Sequence, residues 1–164
     1  MTDPLRTPPP LRTLLPPGGF SNLVGHHVAA LDVGLTSLRE VARSLPRNAG
    51  ERATKDAHRP SAEGALRASG RREAAWLHAA VGKVPTPPEP PAGSDLEQLL
   101  GWLEAVRTVS LMVLRPLADR ELERLVSLPD VPGKTTLRRV LSELLEHQAE
   151  CRAEVRLAGG PPRA

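Results

Sequence analysis

Residues 135–157 read Thr135-Thr136-Leu137-Arg138-Arg139-Val140-Leu141-Ser142-Glu143-Leu144-Leu145-Glu146-His147-Gln148-Ala149-Glu150-Cys151-Arg152-Ala153-Glu154-Val155-Arg156-Leu157. Val140, Leu144, His147, Cys151 and Val155 recur at spacings of three and four, the period that lines one face of an α-helix. Thr135 or Thr136 supplies the hydroxyl that caps such a helix, and Pro129, Pro132 and Gly133 write a turn before it. Three further stretches show the same period, and strand-like alternation is found in none. The predicted fold class is therefore all-α: a four-helix bundle with long crossover connections and a short extra helix.

Proline and glycine divide the rest of the chain. A first helix is expected from about Gly19 to Leu45, with Val24, His27, Leu31, Leu35, Leu38, Ala42 and Leu45 on its apolar stripe. Pro46 closes it, and Arg47 to Arg59 reads as a polar loop. Ser61, directly after Pro60, is a favoured cap for a second helix to about Val84. Its stripe of Ala62, Ala65, Leu66, Ser69, Trp76, Leu77, Ala80 and Val84 is weak, and Gly64 and Gly70 each cost about 1 kcal/mol relative to alanine. Pro85, Pro87, Pro88, Pro90 and Pro91 form a stiff connector. Ser94 and Glu97 have capping-box spacing, so a third helix starts near Asp95 and carries Leu96, Leu99, Leu103, Val106, Ser110, Val113 and Leu117 until Pro116 kinks or ends it. A short helix from Asp119 to Val126 follows. Residues 1–18 are read as a proline-rich arm, 19–157 as the bundle and 158–164 as a flexible tail.

The composition narrows function. The chain has 164 residues and a formal charge of +3, with 40% hydrophobic and 25% charged residues, which fits one globular domain. One Phe, two Trp and no Tyr leave no stacking platform for single-stranded nucleic acid. The isoelectric point near 9.7 suggests nucleic acid at first sight. Arg alternates with Glu in most segments, however, and the densest run, Arg67 with Arg71 and Arg72, meets Glu73 at once, so no nucleic-acid partner is expected. No apolar run reaches the roughly 20 residues that span a bilayer, and no targeting segment is visible. A single cysteine, Cys151, fits a reducing compartment, and the cytoplasm is the expected location.

Chemistry concentrates on the last helix. His147 and Cys151 are one turn apart on the same face, so an imidazole nitrogen and a sulfur could share a divalent metal, zinc or nickel, with Glu150 or Glu154 outside them. A buried cysteine also serves as a small hydrophobe, and a buried histidine as a hydrogen-bonding group, in which case no metal is held. His27 or His78 could complete a ligand set; His26 lies off the stripe. Val131-Pro132-Gly133-Lys134-Thr135 ends like a phosphate-binding loop, but Leu128 stands where the first glycine belongs, so it reads as a turn. Trp76 and Trp102 are expected in the packing. No nucleophilic triad is recognisable.

Thr136-Leu137-Arg138-Arg139-Val140-Leu141, followed by Glu146-His147-Gln148-Ala149-Glu150-Cys151-Arg152, resembles the last helix of the DinB/YfiT-like four-helix bundle family. Pro60-Ser61 through Glu73 with Trp76-Leu77 resembles that family's second helix, and Leu117 to Leu125 the stretch after its third. The resemblance implies a divalent metal on three histidines, one on the second helix and two separated by four on the last. Here His147 takes the first of the last-helix positions, Cys151 the second, and Ala68 stands where the second-helix histidine is expected, five residues before Glu73. Family members include transferases and isomerases that act with bacillithiol or mycothiol. The resemblance thus implies an uncharacterised relative of metal-dependent enzymes with its three-histidine site altered or lost. An active metalloenzyme using His147, Cys151 and another ligand, and a dimeric non-catalytic scaffold, are the competing expectations.

Overall fold

A computed structural model describes residues 17–46 and 61–159. Most of the proline-rich arm, the loop read at Arg47 to Arg59 and residues 160–164 of the tail lie outside the described residues. Four long helical stretches make up most of the rest: α1 (Asn22–Arg43), α2 (Ala62–Glu73), which continues as a π-helical segment (Ala74–Gly82), α3 (Leu96–Leu114) and α4 (Leu137–Ala158). The fold is mostly helical, as the periodicity predicts. α4 packs along α1 and α2, and α3 along α2 and its π extension.

The ends of these helices follow local chemistry, with some corrections. α1 begins at Asn22, later than Gly19, because its first free amides find a distant carboxylate. Asp119 Oδ1 accepts from the N–H of Leu23 at 2.8 Å and of Val24 at 3.1 Å. Ser61 caps α2 as expected, its hydroxyl accepting from Gly64 N–H. The capping box of α3 is one residue away from the Ser94–Glu97 pair. Asp95 accepts from Gln98 N–H at 2.8 Å and Gln98 accepts from Asp95 N–H at 3.0 Å, while Ser94 donates to the Pro91 carbonyl. Thr136 caps α4, and Ala158, placed in the tail from sequence, is its last residue.

Two departures bear on function. The second helix is α-helical only to Glu73, and its last nine residues take the wider π form before Lys83 turns left-handed at φ 54°. Trp76, Leu77 and His78, consecutive in sequence, all lie buried in this segment. The second correction concerns the short helix expected at Asp119–Val126. Only Asp119–Glu123 is helical, as a 3₁₀ turn, and Leu125–Val126 pairs antiparallel with Thr135–Thr136. The ladder is two residues long, too short to show as alternation, and it closes a loop in which Asp130 (φ 64°) and Gly133 (φ 80°) are left-handed.

The core is aliphatic and divides into two clusters. One holds Val28, Leu31, Trp76, Leu114, Val140 and Leu144; the other Leu38, Leu66, Trp102, Leu103, Cys151 and Val155. Gly70, an apparent flaw in α2, is required at its position. A Cβ there would lie 2.5 Å from Trp102 Cη2 and 2.8 Å from Leu103 Cδ2.

Candidate functional site

α2, the start of the π segment, α4 and the loop between the paired strands enclose an open cleft of about 580 Å³. Ala68, Arg72 and Trp76 form one wall, Glu143 and His147 the other, and Asp130 and Val131 stand at the rim. The Arg72 guanidinium lies over the Trp76 ring at 5.1 Å from its centroid. It has no ion-pair partner among the described residues. Its neighbours in the basic run are neutralised. Arg71 meets Glu89 through two bonds of 2.7 Å. Arg67, read as surface charge, is instead buried against Glu63, Glu89 and the carbonyls of Pro90 and Pro91. These bonds pin the polyproline connector onto α2. Hydrogen bonding from Arg71, then from Arg67, holds the Glu89 carboxyl below its ordinary range.

His147 and Cys151 face the same side, as their spacing predicts, with Sγ 3.5 Å from His147 Nε2. Two ligands of a tetrahedral zinc stand about 3.6 Å apart at ordinary Zn–N and Zn–S lengths, so the pair by itself has suitable separation. The rest of the site does not complete it. Nε2 also lies 3.3 Å from the Ala68 carbonyl oxygen, to which it donates. Glu150 approaches the opposite ring nitrogen, Nδ1, at 3.6 Å, so its carboxylate and the sulfur cannot converge on one ion. Cys151 is almost fully buried. Burial, then Glu154 and Glu150, push its thiol up to about 11, which keeps it protonated at neutral pH.

The two other candidate histidines lie elsewhere. His78 is fully buried on the side of the π segment that faces α3, its Nε2–H donating to the Val106 carbonyl at 3.0 Å with Ser110 Oγ at 2.9 Å. Burial lowers its pKa against the opposing influence of Glu73 and the Val106 carbonyl, so the ring is neutral, with Nδ1 an unpartnered acceptor among the described residues. His27 is half-buried; desolvation first, then Arg138 and His26, lower its pKa. Among the described residues, no three His, Cys, Asp or Glu side chains are grouped to hold a metal. Among the described residues the donors do not fit the divalent-metal site on three histidines that the resemblance implies.

A polar layer behind the cleft is absent from the sequence reading. Arg107 on α3 donates to both oxygens of Glu73, at 2.8 and 3.0 Å, and to Asp32 on α1 at 3.0 Å. Gln148 on α4 reaches Glu73 at 3.4 Å. Each helical stretch contributes one member, and the layer lies between the two aliphatic clusters. Arg107, Glu73 and Gln148 are all about 4% exposed. Burial opposes the charge on Arg107, but Glu73 and Asp32 outweigh it and the net pKa shift is upward. Arg107 and Gln148 each follow a stripe leucine, Leu103 and Leu144, by four residues, and that register is the signal that places them inward.

No helix among the described residues is long and apolar enough to cross a membrane. In comparisons with known proteins, no family model, curated protein or solved structure matches this chain.

Proposed function

We propose that this chain is a cytoplasmic four-helix bundle of DinB/YfiT type whose three-histidine metal site has been dismantled, leaving the cleft as a metal-independent binding site for a small molecule. The observation that carries this reading is the bond from His147 to the carbonyl of Ala68. Ala68 is the residue at which the resemblance expects a histidine, and it faces His147 across the α2–α4 contact with a backbone oxygen in place of an imidazole. The two helices thus meet in the register that a shared ligand set would need, while the chemistry there is hydrogen bonding. Cys151 supports the same reading, because a thiol held protonated is a weak nucleophile. What the cleft retains is recognition: a guanidinium stacked on an indole, beside a rim of Asp130 and Val131.

One observation favours a second reading. The 3.5 Å separation of sulfur and nitrogen suits two ligands of one zinc ion, with outside molecules filling the remaining positions. Elemental analysis of tag-free protein after incubation with zinc, nickel and manganese separates the two. Protein that stays metal-free supports the dismantled site. Near-stoichiometric metal that disappears in Cys151→Ala refutes it and establishes the metalloprotein.

A further inference from the structure

The charges that line the cleft do not all cancel. Arg71 is held by Glu89, and Glu143 on the facing wall accepts from Arg139 Nε at 2.7 Å. Two groups of opposite sign are left over, Arg72 on the helical wall and Asp130 at the rim. Both side chains are exposed, and among the described residues neither has an ion-pair partner, so they border one cleft without meeting each other.

Each of the two is held in position. The Arg72 guanidinium lies on the ring of Trp76, which is itself buried. Stacking uses the face of the guanidinium and leaves its in-plane N–H donors free, the arrangement that suits a carboxylate. Asp130 belongs to the loop closed by the Leu125–Val126 and Thr135–Thr136 ladder and anchored by buried Leu128. Its left-handed φ of 64° is one that aspartate adopts more readily than most residues. An ionised aspartate only accepts hydrogen bonds, so its complement is a donor cation such as an ammonium. Val131, next to it, is 36% exposed and gives the rim an apolar contact. The cleft volume, about 580 Å³, is of the size that takes a small molecule.

We propose that the cleft binds a zwitterion of the amino-acid class, its carboxylate on Arg72, its ammonium on Asp130 and an aliphatic side chain against Val131, an assignment that rests on the metal-independent reading of the site. A simple carboxylate would satisfy Arg72 but bring a second negative charge beside Asp130. A simple amine would satisfy Asp130 and leave Arg72 without a counter-charge. A ligand that carries both charges answers both residues, and the opposed pair then discriminates against molecules that carry one of them.

Three probes of similar shape test this by isothermal titration calorimetry of the full, tag-free chain in chelator: L-leucine, 4-methylpentanoate, which lacks the amine, and 3-methylbutylamine, which lacks the carboxylate. Leucine is expected to bind at least about tenfold more tightly than either analogue, because each analogue leaves one protein charge unanswered. Two substitutions should change selectivity rather than merely weaken binding. In Asp130→Asn, which keeps the size and the tolerance of left-handed backbone, leucine should lose its advantage over 4-methylpentanoate. In Arg72→Gln it should lose its advantage over 3-methylbutylamine. Thermal melts by circular dichroism establish that both variants are folded. An analogue that binds the parent within about tenfold of leucine overturns the zwitterion while leaving a metal-independent small-molecule site in place. Absence of binding by all three probes also overturns it. Leucine binding that appears only after zinc is added refutes the metal-independent reading itself.

Discussion

Replacing Arg107 by leucine removes the one cation in the polar layer and leaves Glu73 buried with Gln148 at 3.4 Å as its remaining partner. Breaking a buried ion pair from one side costs about 3–5 kcal/mol, because the abandoned charge has lost both water and counter-charge. A domain of this size is stable by roughly 5–15 kcal/mol, so the variant forfeits about a fifth of its margin or more. At about 2–4 °C per kcal/mol, the thermal midpoint should fall by roughly 6–20 °C. Glu73→Leu in the same chain removes the stranded charge, and the double variant should return to within about 1 kcal/mol of the parent or exceed it. Denaturant titration followed by circular dichroism and by indole fluorescence measures both effects. Trp76 lies in one aliphatic cluster and Trp102 in the other, so single Trp→Phe variants report the two sides of the layer separately. An Arg107→Leu protein within about 1 kcal/mol of the parent would refute the reasoning, since Glu73 would then have solvent or a partner that its burial denies it.

The remaining predictions concern single contacts. Gly70→Ala should destabilise by about 1–3 kcal/mol despite the better helix former, because the new methyl meets Trp102, whereas Gly101→Ala, with open space around its Cβ, should stabilise by about 0.5–1 kcal/mol; paired urea titrations compare them. Cys151 should resist thiol reagents at neutral pH in the native chain and react rapidly once unfolded. Because its folded pKa, about 11, lies above that of an exposed thiol, its contribution to stability is complete below about pH 8.5 and is lost as pH rises toward 11, which thermal melts along that range should follow. Asp119→Ala should lower the thermal midpoint at neutral pH by uncapping α1. Desolvation opposes the Asp119 charge, but the hydrogen bonds from the Val24 and Leu23 amides and the nearby Arg138 outweigh it and depress the Asp119 pKa. The stabilisation is therefore present above the unfolded value near 3.9 and lost as pH falls through the folded one, so melts of parent and variant should converge in acid.

What the sequence determined by itself was local. The period of apolar residues, the caps at Ser61 and Thr136, and the break after α3 at Pro116 are properties of neighbours along the chain, and they placed the helices to within a few residues. The spacing of His147 and Cys151 likewise put the two on one face without any tertiary information. Other features needed partners far away in sequence. α1 is capped by a carboxylate from beyond α3, and the strand pair is only two residues long, so neither leaves a periodic trace. Charged residues are read as surface because burial costs them their hydration. Arg107 and Glu73 are buried because groups on other elements replace that water, and no short window of sequence contains both halves of that pair; Arg67 has Glu63 one turn away, but needs Glu89 and the Pro90 and Pro91 carbonyls of the connector as well. The same holds at the cleft. Ala68 bears no reactive group, and its part in the site comes from a backbone oxygen that only the α2–α4 contact brings to His147.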